Sequence, residues 1–98
     1  MHLTSSEKVV LIVNGIREYR AGTQNDLARR DIDTFLSSLS ESYQSAPEMQ
    51  KHIHSIRELI RSMKQADSEG AINQLEQARA AALSACEPLD EAIAKLES

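Results

Sequence analysis

The chain has 98 residues, of which 41% are hydrophobic and 27% charged, and its formal net charge is −4. This length and balance are typical of one folded domain with a modest core, which argues against intrinsic disorder, and the negative charge disfavours general binding to nucleic acids. With two Tyr, one Phe and no Trp, the core must consist of aliphatic side chains, which suit packed helices, so we expect a single helical domain over residues 1–98.

The first predicted helix begins at Thr4, because Thr4 and Glu7 have the spacing of a capping box. Apolar residues follow at helical intervals, namely Val9, Ile12, Ile16 and Tyr19. Ala21 and Gly22 predict the end of this helix. The run at residues 9–13, followed by Asn14-Gly15, also fits a strand and a type I′ turn. We therefore predict a helix over residues 8–20, with a hairpin as the alternative.

The second predicted helix runs from Asp26 to about Ser45, with residues 23–25 as its capping residues. Its apolar positions recur at helical spacing, and they are Ala28, Ile32, Phe35, Leu36, Leu39 and Tyr43. On the other side, the i,i+4 spacing predicts two ion pairs, Asp26 with Arg30 and Arg29 with Asp33.

The third predicted helix extends from Pro47 to about Ala66, and Ser45 and Glu48 have the spacing of a second capping box. Five apolar residues form one stripe along it, and they are Met49, Ile53, Ile56, Ile60 and Met63. Residues 67–70 combine polar residues with Gly70, which predicts a tight reversal. One long helix continuing through Gly70 is the alternative.

The last predicted segment carries an apolar register of alternating three- and four-residue steps, formed by Ile72, Leu75, Arg79, Ala82, Cys86, Leu89, Ile93 and Leu96. We call this set the C-terminal seam. The register continues through Pro88, so we predict either one kinked helix or two helices that meet there. The sequence thus predicts an all-α fold, a four-helix or five-helix antiparallel bundle, with its C-terminal helix kinked or broken near Pro88.

The charged residues are unevenly distributed. The net charge is −1 over residues 1–46, +2 over residues 47–66 and −5 over residues 67–98, which together give −4. Basic residues lie beside the apolar stripe of the third helix, and we take this basic edge as a candidate partner-binding surface, formed by Lys51, His54, Arg57, Arg61 and Lys64. In the last third, an acidic face is a second candidate partner surface, formed by Glu76, Glu87, Asp90 and Glu91. A solvated helix exterior is the simpler interpretation of each set.

The sequence contains no catalytic signature, and we expect neither an enzyme, nor a metal site, nor a cofactor. His52 and His54 are two residues apart, so on a helix they point to nearly opposite sides and do not share a metal. Cys86 lies in the apolar seam, which favours a packed side chain over a nucleophile. As the only cysteine it forms no internal disulfide, and residues 9–13 are too short for a membrane span, so we expect a cytoplasmic protein that does not contact membranes.

Residues 22–30 resemble the opening of a helix-turn-helix, as in transcription regulators with a T-Q-x-x-L-A-x-R run. Such a motif continues with a turn and a recognition helix. Here the predicted helix continues without a turn through residues 31–42, and Asp31 and Asp33 stand where DNA phosphates would lie. We therefore expect no nucleic-acid partner and keep a DNA-binding regulator as the second alternative function.

A helix start at Pro47, an amphipathic run at residues 55–62 and an Ala-rich helix with Ala78, Ala81 and Ala82 follow one another in the second half of the chain. In these features the chain from Tyr43 to about Leu96 resembles the small all-helical immunity proteins that neutralise type VI secretion effectors. The resemblance implies a non-catalytic protein that occludes the active site of a cognate toxin. The first alternative is a structural adaptor or secretion chaperone that forms a homodimer through the C-terminal seam.

Overall fold

A computed structural model describes residues 2–98 as four α-helices, namely α1 (Ser5–Glu18), α2 (Asp26–Ser42), α3 (Pro47–Glu69) and α4 (Ile72–Glu97). No strand occurs among these residues, so the prediction of an all-α fold is confirmed. Residues 2–98 form four helices rather than five, because α4 continues as one helix through Pro88. Pro88 deprives the carbonyl of Ser84 of its usual helical hydrogen bond, and both residues are exposed, so water can replace the missing donor.

Helix α1 begins as predicted. The amide of Glu7 donates to Oγ1 of Thr4 at 3.1 Å, and the amide of Thr4 donates to Oε1 of Glu7 at 2.9 Å. The hydrogen bonds that the Glu7 carboxylate receives from Thr4, chiefly from its backbone amide, favour the ionised form and lower the pKa of Glu7. The helix ends at Glu18 rather than near Gly22. Gly22 has a positive φ of 72° and lies in the loop that follows the helix.

The hairpin alternative is wrong, because Asn14 and Gly15 lie inside α1. Gly15 is buried where α1 crosses α2. A Cβ atom at this position would lie 2.8 Å from Cγ1 of Ile32 and 3.2 Å from the carbonyl oxygen of Ala28. The glycine that suggested a turn therefore permits a close contact between two helices.

Helices α2 and α3 meet through a short connection that differs from the prediction. Helix α2 ends at Ser42 instead of about Ser45, and Ala46 rather than Ser45 is the N-cap residue of α3, without a side-chain hydrogen bond. The Gln50 side chain connects the start of α3 to the end of α2. Its Nε2 donates to the carbonyl oxygens of Ser40 and Tyr43 at 3.0 and 2.9 Å. These bonds satisfy carbonyls at the end of α2.

The apolar stripe of α3 is confirmed, since all five of its residues are buried in the core. Pro47 occupies the first turn as predicted. The helix extends three residues beyond Ala66 and ends at Gly70, which has a left-handed φ of 71°. The reversal before α4 is thus confirmed, and a continuous helix through Gly70 is wrong.

The C-terminal seam packs against α1 and α3. Its central apolar members are buried, and they are Leu75, Ala82, Cys86, Leu89 and Ile93. Its ends, Ile72 and Leu96, are 59% and 53% exposed. Arg79 stands in this seam because its Nη1 donates to the carbonyl oxygen of Tyr19 at 3.0 Å, just beyond the end of α1.

A buried polar residue fixes the loop between α1 and α2. Asn25 is 5% exposed, and its Oδ1 accepts from the amide of Arg20 at 3.1 Å. Its Nδ2 donates to the carbonyl oxygen of Arg20 at 3.0 Å and to Oδ2 of Asp67 at 3.2 Å. Asn25 is the N-cap residue of α2, within the predicted residues 23–25, but its side chain makes no capping hydrogen bond and instead joins the loop to the end of α3.

Replacing Asn25 with Ala should lower the free energy of unfolding by about 2 kcal/mol, because it removes the hydrogen bond of a buried side chain to Asp67 and leaves the partly buried amide of Arg20 without its acceptor. Asn73→Ala is the matched control, since Asn73 is exposed near the start of α4, and its effect should stay within about 0.5 kcal/mol. Urea unfolding followed by circular dichroism measures both changes. Equal effects of the two substitutions would contradict the role of Asn25.

Gly15→Ala should also destabilise the protein, although alanine is the better helix former. The gain in helix propensity is about 1 kcal/mol, whereas a methyl group forced against buried Ile32 and a backbone carbonyl costs about 1–3 kcal/mol. We expect a net loss of about 1 kcal/mol in thermal or urea unfolding. The neighbouring exposed residue supplies the control, because Asn14→Ala should leave stability unchanged or slightly raised. A more stable Gly15→Ala protein would show that α1 and α2 do not meet at this residue.

Candidate functional site

The structure brings together three of the five residues in the predicted basic edge. Arg57, Arg61 and Lys64 lie on one side of a groove of about 300 Å³ between α2 and α3. Asp33 and Ser37 of α2 form the other side, and Ile60 also lines it. We call this the basic groove. The remaining two residues of the edge, Lys51 and His54, are exposed on α3 outside the groove lining.

Two of the three basic side chains in the basic groove make contacts across it. Nζ of Lys64 lies 3.1 Å from Oδ2 of Asp33, and Nη2 of Arg57 donates to Oγ of Ser37 at 3.3 Å. Asp33 therefore pairs across the groove, and the ion pairs predicted within α2 are not formed among residues 2–98. This interhelical pair was not visible in the sequence, because no local spacing relates residues so distant in the chain.

The two arginines of the basic groove keep free donors. Nη1 of Arg61 lies 3.0 Å from Oε1 of Glu58, yet the Arg61 side chain is 75% exposed. Arg57 is also exposed and uses one of its five N–H groups on Ser37. Both guanidinium groups can therefore bind a carboxylate on a partner without losing a buried contact.

Lys51 and His52 belong to a different surface, near the start of α3. They line a shallow depression of about 450 Å³ together with Pro47 and Glu48. Within residues 2–98, no group of three or more His, Cys, Asp or Glu side chains is close enough to hold a metal ion.

The four residues of the predicted acidic face are exposed on α4 but do not form one site. Glu76 pairs with Arg79 near the start of the helix. Glu87 and Asp90 lie roughly 16 and 21 Å further along than Glu76, at 1.5 Å per residue, and line a second groove. Glu91 lies outside the lining of this groove. The structure thus places Glu76 in an ion pair and Glu87 and Asp90 at a groove, with Glu91 at neither.

This second groove, of about 450 Å³, runs between α1 and α4. Its apolar lining consists of Val9, Val10, Val13, Leu83 and Cys86. Asn14, Arg17 and Ser84 contribute polar groups beside Glu87 and Asp90. We call it the apolar groove. The sequence pattern at residues 9–13 predicted a helix without indicating which of its residues stay exposed, so this groove was not predicted. The signal was in the run itself, since five successive apolar residues exceed what one side of a helix can bury.

Cys86 lines this groove. Its environment disfavours the thiolate, which is the reactive form of its side chain. The residue is 3% exposed. Burial, with a smaller contribution from the Asp90 carboxylate, raises the pKa of its thiol from 9.0 to about 11. The prediction of a packed side chain in the seam agrees with this burial, and the thiolate is scarce at neutral pH.

The raised thiol pKa predicts an alkaline loss of stability. Below pH 9 the thiol is protonated in both folded and unfolded chains, whereas between about pH 9 and about 11 it ionises mainly in the unfolded chain. The unfolded state then binds fewer protons, so the free energy of unfolding falls as pH rises. Cys86→Ala removes this contribution while leaving the tyrosines and lysines in place. Urea titrations at pH 8.5 and 10.5 should show that the free energy of unfolding falls less with pH in Cys86→Ala than in the wild type. Equal falls in the two proteins would contradict the raised pKa of the Cys86 thiol.

The chain matches no protein-family model, and neither a curated protein nor a solved structure is similar to it at a significant level. None of the four helices in the described part of the chain combines the length and hydropathy of a transmembrane span. What the geometry offers is two grooves of different chemistry on one helical framework, the basic groove between α2 and α3 and the apolar groove between α1 and α4.

Proposed function

We propose that the protein is a non-catalytic, cytoplasmic protein-binding module that inhibits a partner as an immunity protein or antitoxin does, by covering part of the partner's surface. The observation that carries this proposal is the grouping of Arg57, Arg61 and Lys64 around the basic groove. Three cations at one groove are notable in a chain whose net charge is −4. They mark the place where this acidic protein attracts rather than repels an acidic partner.

The charge balance of the groove favours a protein surface over a nucleic acid. Asp33 neutralises part of the positive charge of Lys64, and Asp31 is exposed on the same helix. A phosphate backbone would require a longer uninterrupted row of cations. A compact patch with two exposed arginines matches a few carboxylates on a folded partner, for which bidentate pairing provides both orientation and specificity.

The framework behind the basic groove suits inhibition by steric blockade. The apolar stripe of α3 is buried, which fixes the direction in which Arg57 and Arg61 leave the helix. A rigid arginine pair loses less conformational entropy on binding than a mobile one. The resemblance of residues 43–96 to immunity proteins of type VI secretion effectors supports the inhibitory form of this proposal.

The proposal includes an antiparallel order of the four helices, which contacts between helix ends support. The hydroxyl of Tyr43, after α2, bonds Oγ of Ser5 at 2.9 Å and Oε2 of Glu97 at 3.0 Å. The start of α1 and the ends of α2 and α4 therefore lie together. At the other end, Asp67 of α3 accepts hydrogen bonds from the loop between α1 and α2.

Self-association through the C-terminal seam, the structural alternative, gains no support from the packing. The five central apolar residues of the seam are already buried within the single chain, so a partner helix would have to displace α1 or α3. DNA binding gains none either, because α2 continues without a turn from Asp26 to Ser42.

The double substitution Arg57→Glu and Arg61→Glu tests the proposal. Both side chains are exposed, so the melting temperature should change by no more than about 3 °C. Affinity for the protein that the wild-type chain captures from its native host should fall at least about tenfold, measured by isothermal titration calorimetry. In co-expression, the same variant should no longer protect cells from the activity of that partner.

A matched control reverses the charge of two basic side chains outside the basic groove. Arg30 and Lys95 are exposed, and their change to Glu alters the net charge by the same amount. This control should retain nearly full affinity. Similar losses in both double variants would indicate a general charge effect, and an unchanged affinity in the groove variant would contradict a docking role for Arg57 and Arg61.

A further inference from the structure

The apolar groove leaves hydrophobic surface uncovered between α1 and α4. Val10 is 57% exposed on its edge, and Val13 and Leu83 are half-buried within it. The basic groove lies between a different pair of helices and shares no lining residue with this one. The apolar groove is therefore a separate surface from the one on which the proposed function rests.

The shape of the apolar groove suits a helix. Its α1 side is lined at i, i+3, i+4 and i+7 intervals, by Val10, Val13, Asn14 and Arg17. Its α4 side is lined at i, i+4 and i+7 intervals by Leu83, Glu87 and Asp90. The lined length is roughly 10 Å, about two helical turns. Two neighbouring helices with these spacings form ridges between which the side chains of a third helix pack.

The charges around the groove select the occupant. Glu87 and Asp90 are exposed along the α4 side, and among residues 2–98 neither forms an ion pair. Arg17 lies on the α1 side and is equally unpaired in that part of the chain. The α4 side thus presents two free carboxylates beside an apolar surface, an arrangement complementary to lysine or arginine beside apolar anchors.

We infer that the apolar groove is a second docking surface, whose occupant is a cationic amphipathic helix of another protein. Apolar residues on one stripe of that helix cover Val10, Val13 and Leu83, and lysine or arginine along its flank meets Glu87 and Asp90. An apolar centre with a charged rim is the usual anatomy of a protein interface.

A second copy of this chain is a poor occupant. Its basic edge lies on α3, and the apolar stripe of α3 is buried in the core. A second copy would therefore bring the cations without the apolar anchors, unless it unfolded. A separate helix whose apolar stripe is free satisfies both requirements of the groove.

Synthetic peptides test this inference. The probe is a fluorescein-labelled 15-residue helix with leucines at i, i+3, i+4 and i+7 positions and lysines along the flank, compared with a matched peptide that carries glutamates instead. Fluorescence anisotropy at physiological salt should show at least about tenfold tighter binding of the lysine peptide. Its addition to ¹⁵N-labelled protein should shift the amide signals of Val10, Val13 and Leu83.

Matched variants separate groove binding from general attraction. Val10→Ser should weaken lysine-peptide binding at least about fivefold, whereas Leu27→Ser should not, since Leu27 is 72% exposed on α2 outside this groove. Neutralising the rim with Glu87→Gln and Asp90→Asn should also weaken binding at least about fivefold, unlike the control pair Asp31→Asn and Glu41→Gln.

The outcomes distinguish this inference from the proposed function. Arg57→Glu with Arg61→Glu should leave peptide binding at least as strong as in the wild type, because the basic groove is a separate surface. Equal binding of the two peptides, equal effects of Val10→Ser and Leu27→Ser, or amide shifts confined to the basic groove would overturn the inference. A wild-type dimer in analytical ultracentrifugation that Val10→Ser dissociates would likewise overturn it, by making a second copy the occupant.

Discussion

Burial of the apolar stripe on α3 is the constraint on which the other features depend. Met49, Ile53, Ile56, Ile60 and Met63 are all 3% exposed or less, and burying each side chain contributes about 1.5–3 kcal/mol. This stripe sets the rotation of α3 about its axis. Once the rotation is set, Arg57, Arg61 and Lys64 can only emerge beside α2, where Asp33 and Ser37 meet them. The candidate site is thus a consequence of core packing.

Polar contacts at the two ends of the bundle complete the framework and leave its sides free. At one end, Asn25, Asp67 and Arg79 hold the loop after α1. At the other, Tyr43 and Gln50 hold the end of α2. The grooves lie along the sides, between α2 and α3 and between α1 and α4. The exposed residues of the two grooves thus differ from the residues that make these polar contacts, so substitutions among those exposed residues should leave the fold intact.

Local sequence signals predicted the helices well where one residue acts on its neighbours. The capping box at Thr4, the proline at the start of α3 and the left-handed Gly70 all depend on contacts within four residues. The same kind of signal failed at Ser45, because Gln50 reaches back to the carbonyls of Ser40 and Tyr43. It failed at Asp33 as well, which pairs with Lys64 of another helix. In both places a side chain had a better partner outside its own segment.

The sequence by itself predicted helical segments and most of the residues that form their buried stripes, because helical periodicity places apolar residues on one side whatever the neighbours are. It left open whether residues 9–13 form a strand and whether the last segment breaks at Pro88. It also predicted the common side of Arg57, Arg61 and Lys64, which line one groove. The tertiary structure alone decided which charges meet, why Gly15 is a contact rather than a turn, and that Val10 is exposed at a groove. These outcomes depend on distances between residues far apart in the chain, and those distances are set only when the helices pack together.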